Sequence, residues 1–320
     1  MALNNTTLHS GIINPSLKKS ERILMILIVQ VLVMVFLYIN SLLIFTFFKK
    51  ETFYTNTRYI FFAHTLICDC VFLFLSDLLL LLIYFQMPMP AGLCVIICVV
   101  MIILTFATPL TLTAMSVERY VAICMPLRHV EISTPHRALY GILVIHAFSI
   151  LQSFVVLPIF VVSVPLSFYI TDMICSVEML IVNSWQSHLK SAASQFYFLI
   201  MSSTIIFTYI KILKAAKMAS TDTKKKSTSK CLKTVILHGF QLVLSLFQLW
   251  CPFIEMAVLQ IGNLELFIHI RYFDYLAFIL APKCLNPLIY GLRDDHFYIV
   301  LKHYAFCGLN KKIYPKFIDQ

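Results

Sequence analysis

Charge is what this chain has least of: Asp, Glu, Lys and Arg supply 12% of its 320 residues, against 60% hydrophobic ones. So little polar surface cannot cover a soluble globule of this length. Glycine is scarce as well, at seven residues, and no two glycines have the spacing of a phosphate-binding loop. There is no His-Glu-x-x-His and no Gly-x-Ser-x-Gly, so the sequence offers no zinc-peptidase or serine-hydrolase constellation, and an enzyme is not expected. The ten cysteines stand singly, without the paired spacings of zinc or redox sites, and most are read as reduced, buried packing residues. No metal ligand and no cofactor is assigned. Internal repeats and half-to-half symmetry are missing too, which counts against a secondary transporter. A cleavable signal peptide is not expected, because the first twenty residues are polar and the first apolar run is too long for an h-region.

What is present is apolar sequence in long blocks. A bilayer-spanning helix needs about 20 mostly apolar residues, and seven runs supply them: 23–48, 57–84, 92–124, 138–162, 190–216, 230–259 and 267–291. An odd number puts the termini on opposite faces. If the N-terminus is outside, most of the 25 Lys and Arg fall inside, including Lys49, Lys50, Arg119, Arg128, Lys224, Lys225, Lys226, Arg293 and Lys311. Lys18, Lys19 and Arg22 pull against that orientation. The net charge of +10 is scattered over short links between apolar runs, which suits anionic lipid headgroups and not nucleic acid.

The expected organisation is an outer tail over 1–22, a membrane domain over 23–291 and a cytoplasmic end over 292–320. Asn4 and Asn5 are glycosylation acceptors in the tail. The segment 217–233 is too polar to pack and reads as an inner loop. The longest link, 163–189, is outer by the parity of spans. After the seventh run, Phe297, Val300, Leu301 and Tyr304 recur at helical spacing and predict a short amphipathic helix on the inner leaflet, with Cys307 a candidate acylation site.

Several motifs fall in fixed order along these runs: Asn40 in the first, Asp69 in the second, Glu118-Arg119-Tyr120 closing the third, Trp250-Cys251-Pro252 in the sixth and Asn286-Pro287-Leu288-Ile289-Tyr290 in the seventh. Each is weak alone; together the chain resembles a class A (rhodopsin-like) G-protein-coupled receptor. Ser116 to Arg128, Phe207 to Ile212 with Tyr209, and Ala281 to Asp294 are similar to odorant-receptor signatures, nearest to those of aquatic vertebrates. The resemblance implies an all-α, polytopic seven-transmembrane helix bundle in the plasma membrane with a short amphipathic eighth helix. Its partners would be a small-molecule odorant, membrane lipids and a heterotrimeric G protein of the olfactory stimulatory type. Three positions depart from the pattern. The second outer loop carries Cys175 alone, His146 stands where many class A receptors have tryptophan, and Met201 where many have proline.

Residue by residue, the resemblance implies a disulfide between Cys94 and Cys175 that pins the long outer loop, two free thiols being the alternative. Cys94 precedes Arg119 by about 37 Å of helix, so the two mark opposite ends. Arg119 is a permanent cation that needs a local partner, and Glu118 is expected to supply it at rest. Tyr209 and Tyr290 would take the freed arginine, Trp250 and Pro252 would carry the swing of the sixth helix, and Asn286-Pro287 of the seventh would help link the switch to the ligand side. A plain snorkelling ion pair is the alternative. Asp69 lies mid-membrane, where related receptors hold sodium; Thr108, Lys283 and Asn286 are the matching positions, and Lys283 would take the place of the ion in an Asp69–Lys283 pair. The other reading has Lys283 snorkelling away. Carried over by position, the ligand cavity is lined by Met101, Ile102, Thr105, Ser194, Tyr197, Phe253, Ile254, Tyr272 and Leu276, each with helix packing or lipid contact as its ordinary alternative. Glu255 and Asp77 are further intramembrane acids without an assigned place. Competing readings of the whole are a receptor for an endogenous ligand and, from another class, a channel or transporter.

Overall fold

Inside a bilayer the backbone can satisfy its own polar groups only as helices or closed barrels, and runs of this length without strand alternation form helices. The computed structural model describes residues 15–218, 239–240, 243–244, 247–248, 250–262 and 264–285. Over these the chain folds as α1 (Pro15–Phe48), α2 (Glu51–Tyr54), α3 (Thr57–Tyr84), α4 (Ala91–Cys124), α5 (Pro126–Ile132), α6 (Pro135–Ser153), α7 (Leu157–Ser163), α8 (Ser184–Met218), α9 (Cys251–Gln260) and α10 (Leu264–Asp274). Among the described residues, five segments are long and apolar enough to cross a membrane: Ser20–Phe48, Thr57–Tyr84, Ala91–Cys124, Pro135–Ser163 and His188–Ala215. The sixth and seventh runs are described in part, by α9, by α10 and by a π-helix at Tyr275–Leu280 followed by α-helix to Leu285. Asn4, Asn5, most of the expected inner loop at 217–233, Asn286, Pro287, Tyr290, Cys307 and the expected amphipathic helix lie outside the described residues.

Helix boundaries follow local chemistry. The side chains of Asn56 and Thr134 accept the Arg58 and Arg137 backbone N–H groups and so cap α3 and α6. Proline opens α5 and α6, where a missing N–H costs nothing. The fourth run, read from the sequence as one helix, is broken at Phe154–Val156 and restarts as α7. Pro158 explains the break: its ring clashes with the carbonyl four residues back and it has no N–H to donate. At the opposite end of the bundle from Arg119, Met89–Pro90 pairs antiparallel with Asp172–Met173. Ala91 N–H adds a bond to Thr171 O at 2.9 Å.

Helix α4 is the hub. Met101, Leu104, Thr108, Thr111, Met115 and Arg119 are all buried, and their spacing of three and four residues makes one continuous stripe along the helix. α3, α6 and α8 pack against it, and α1 packs on α3. A second apolar cluster of Val29, Val33, Leu73, Leu280 and Cys284 joins α1 and α3 to the seventh run. Large apolar side chains such as Val31, Met34 and Tyr38 on α1 and Leu139, Tyr140 and Leu143 on α6 point outward. Inside sit Asn40, Thr65, Asp69, Thr111, Gln152 and Lys283. Apolar outside with polar groups buried is the reverse of a soluble domain and matches a lipid-facing belt.

Candidate functional site

The polar centre of the bundle is a buried ion pair. Lys283 Nζ lies 2.7 Å from Asp69 Oδ1, with both side chains almost wholly removed from solvent. Thr108 Oγ1 on α4 donates to the same oxygen at 3.1 Å, and the ammonium stands 4.3 Å from the centroid of the Phe72 ring. Three helices therefore meet at one carboxylate. The π-helix aims Lys283 into this centre. Ala281 N–H bonds to Leu276 O, five residues back, and this wider turn rotates the following residues relative to an α-helix. Beside it, Tyr275 OH and Ser76 Oγ are 3.2 Å apart, while Gln30 Nε2 donates to Asp77 Oδ1. These contacts tie the seventh run and α1 to α3.

From Thr108 the buried α4 stripe leads to Arg119, eleven positions and about 16 Å further along the axis. Arg119 is 9% exposed. Its neighbour Glu118 turns toward the link after α4, with His129 Nε2 3.1 Å from Glu118 Oε1. The sequence reading assigned this carboxylate to Arg119; it is held by α5 because Pro126 starts that helix immediately and brings His129 back over the end of α4. Tyr120 packs edge-on against Phe207 of α8, with centroids 5.8 Å apart. Tyr209 is half-buried on the same helix, and Tyr290 falls outside the described residues. At the other end, Cys94 and Cys175 form a disulfide with Cα atoms 5.5 Å apart, spanning 81 residues. It fastens the link carrying the short strand to the first turn of α4.

The nine positions carried over as a cavity lining divide their contacts between the two apolar clusters and the outer surface. Met101 and Ile102 are buried in the main core, and Tyr197 packs against it. Tyr272 and Leu276 pack on the second cluster instead. Thr105 Oγ1 donates to Met101 O at 2.8 Å, and Ser194 Oγ accepts from Gln152 Nε2 at 3.3 Å. Tyr197 OH is spent on Phe148 O of α6 at 2.7 Å. Phe253 and Ile254 face outward. Trp250 is 42% exposed and sits against Phe198 of α8, with centroids 5.8 Å apart. Pro252 stands in the first turn of α9.

Two polar partnerships carry no sequence signal, one between helices far apart in the chain and one between neighbours. His64 and His146 meet with their Nε2 atoms 2.9 Å apart, and His146 is the position that departs from the usual tryptophan. Arg271 Nε lies 3.9 Å from Glu255 Oε2, joining α9 to α10.

Comparison with known proteins fits this arrangement of helices. The family model described as 7 transmembrane receptor (rhodopsin family) matches residues 39–290. The chain belongs to the rhodopsin family of seven-transmembrane receptors, and its fold is the seven-helix bundle of that family. Within it, the chain is 43% identical to Odorant receptor 131-2 of Danio rerio over 309 residues, which is 96% of this chain and 92% of that protein. More distant likenesses are to Olfactory receptor 1073 of Rattus norvegicus, 28% identical over 62% of this chain and 63% of that one. Galanin receptor 2b of Danio rerio is also 28% identical, over 65% of this chain and 54% of that protein.

Proposed function

We propose that this protein is an odorant receptor of the plasma membrane that binds a small organic ligand between its helices and activates a heterotrimeric G protein. The observation that carries the reading is the likeness to an odorant receptor along 96% of the chain. The ligand enters from the disulfide end, which faces outside together with the N-terminus. The Glu118-Arg119-Tyr120 end faces the cytoplasm, where Arg128, Arg137 and the lysines of 217–233 meet anionic lipid and the G protein. Ligand binding stabilises an outward position of the sixth helix, Arg119 engages Tyr209 and Tyr290, and nucleotide exchange follows on a G protein of the olfactory stimulatory type. The chain performs no catalysis of its own.

The Asp69–Lys283 pair supports a receptor without a sodium site. An ammonium already occupies the place beside the carboxylate, so an added monovalent cation finds neither space nor unbalanced charge. The test is to express the chain in cells carrying the olfactory stimulatory G protein and screen water-soluble odorants with a cAMP readout. A concentration-dependent rise is expected. Silence to every odorant combined with a response to an endogenous ligand would replace odorant recognition; a ligand-dependent current without G protein would replace the receptor mechanism.

A further inference from the structure

We propose that His64 and Cys68 of α3 and His146 of α6 form an intramembrane binding site for a soft d10 metal ion, with monovalent copper as its preferred occupant. The three donor atoms lie within 4.8 Å of one another. His64 and Cys68 are one helical turn apart on the same face, with Cys68 Sγ 3.5 Å from His64 Nε2. His146 Nε2 approaches the same nitrogen from α6 at 2.9 Å. Thiol and imidazole together suit copper(I) and zinc, and do not suit the hard cations magnesium or calcium.

Hydrogen bonding fixes the orientation of the first ligand. Thr111 Oγ1 gives its single hydrogen to Ala107 O at 2.7 Å. Toward His64 Nδ1, 3.1 Å away, the same oxygen can then only accept. His64 therefore carries its proton on Nδ1 and turns the lone pair of Nε2 toward His146 and Cys68. A ring nitrogen held by a second-shell donor bond, with the other free to ligate, is the arrangement seen at metal-bound histidines. Two nitrogens about 2.0 Å from a three-coordinate ion stand about 3.5 Å apart. The His64–His146 gap must therefore open by about half an ångström, within reach of a small rotation of the half-buried His146 ring.

Charge selects the ion. Binding replaces the Cys68 S–H bond with an S–Cu bond and releases the proton to solvent; His146 moves its proton from Nε2 to Nδ1, and no electron is transferred. One thiolate and one copper(I) sum to zero, whereas zinc would leave a net positive charge in the membrane interior, where charge is costly. The adjacent carboxylate Asp69 is already matched by Lys283. Loaded, the site would strap α3 to α6 directly behind the ion pair, since Cys68 adjoins Asp69 and Thr111 lies one turn after Thr108 on α4.

The test uses purified full-length protein in lipid nanodiscs, titrated anaerobically with copper(I) against a chromophoric copper(I) chelator. Wild type is expected to retain one equivalent of copper that Cys68→Ser and His146→Phe both lose and Cys70→Ser keeps. Thr111→Val should weaken retention roughly 10-fold by removing the second-shell bond. X-ray absorption of the loaded wild type should show one sulfur and two nitrogens, with the sulfur gone in Cys68→Ser. Thermal unfolding of each copper-free variant identifies any that fails to fold, and the absorption spectrum of the wild type then decides alone. Equal retention by wild type, Cys68→Ser and His146→Phe would overturn the site. Displacement of copper(I) by an equal concentration of zinc would overturn its selectivity.

Discussion

Neutralising one partner of the Asp69–Lys283 pair should destabilise the receptor far more than neutralising both. At 2.7 Å and an effective dielectric constant of about 20, the Coulomb attraction is about 6 kcal/mol before desolvation is subtracted. Both groups lie in the bundle interior, and desolvation takes back most of that gain, so the net worth of the pair is small. Removing a single partner is different, because the remaining charge stays buried without its counter-charge, at a cost of about 3–5 kcal/mol. Asp69→Asn and Lys283→Met are each expected to lower the unfolding midpoint in nanodiscs by on the order of 10 °C, at roughly 2–4 °C per kcal/mol. The double variant should unfold no earlier than the worse single one. Thermal unfolding followed by a thiol-reactive dye reads this directly, since Cys68 and Cys284 beside the pair are buried free thiols. Additive losses, or single variants within about 1 °C of wild type, would refute the coupling.

Other outcomes follow from the same geometry. Signalling by wild type should be insensitive to sodium at constant ionic strength, while Lys283→Ser should introduce sodium dependence; a sodium-dependent wild type would contradict the built-in ammonium. Cys175→Ser releases a loop of 81 residues, worth up to about 4.5 kcal/mol in chain entropy, and Cys94→Ser should lower stability and surface expression equally, with no further loss in the double variant. Additivity there would mean that the two cysteines act separately. Glu118→Gln loses the charge facing His129 and should raise basal cAMP without ligand; an unchanged basal level would show that this carboxylate does not restrain the resting state.

The spans were legible because length, apolarity and the absence of glycine-rich breaks leave a bilayer helix as the outcome, and α3 and α4 begin and end close to the limits read from the sequence. The nearness of Asp69 to Lys283 was legible too, since a charge at that depth needs a counter-charge and one lay a turn before Asn286. The π-helix at Tyr275–Leu280 was not. No residue type marks its wider turn. Glu118 was misassigned because the loop fold that returns His129 over α4 depends on where α5 starts. The broken fourth run was signalled by Pro158, which apolar content concealed. The cavity lining was transferred by position alone, and position does not say that Tyr197 OH will bond to Phe148 O or that Tyr272 will join the second cluster. His64 and His146 are far apart in sequence and carry no motif, so only the fold brings them together.

The central claim is that the buried end of α4 is the switch through which this receptor reaches its G protein. Arg119→Ala, compared with wild type at matched surface expression and with an odorant that activates wild type, tests it most directly. Loss of the odorant-evoked cAMP rise with expression retained is the predicted result. A full cAMP response from Arg119→Ala at the same surface density would contradict it.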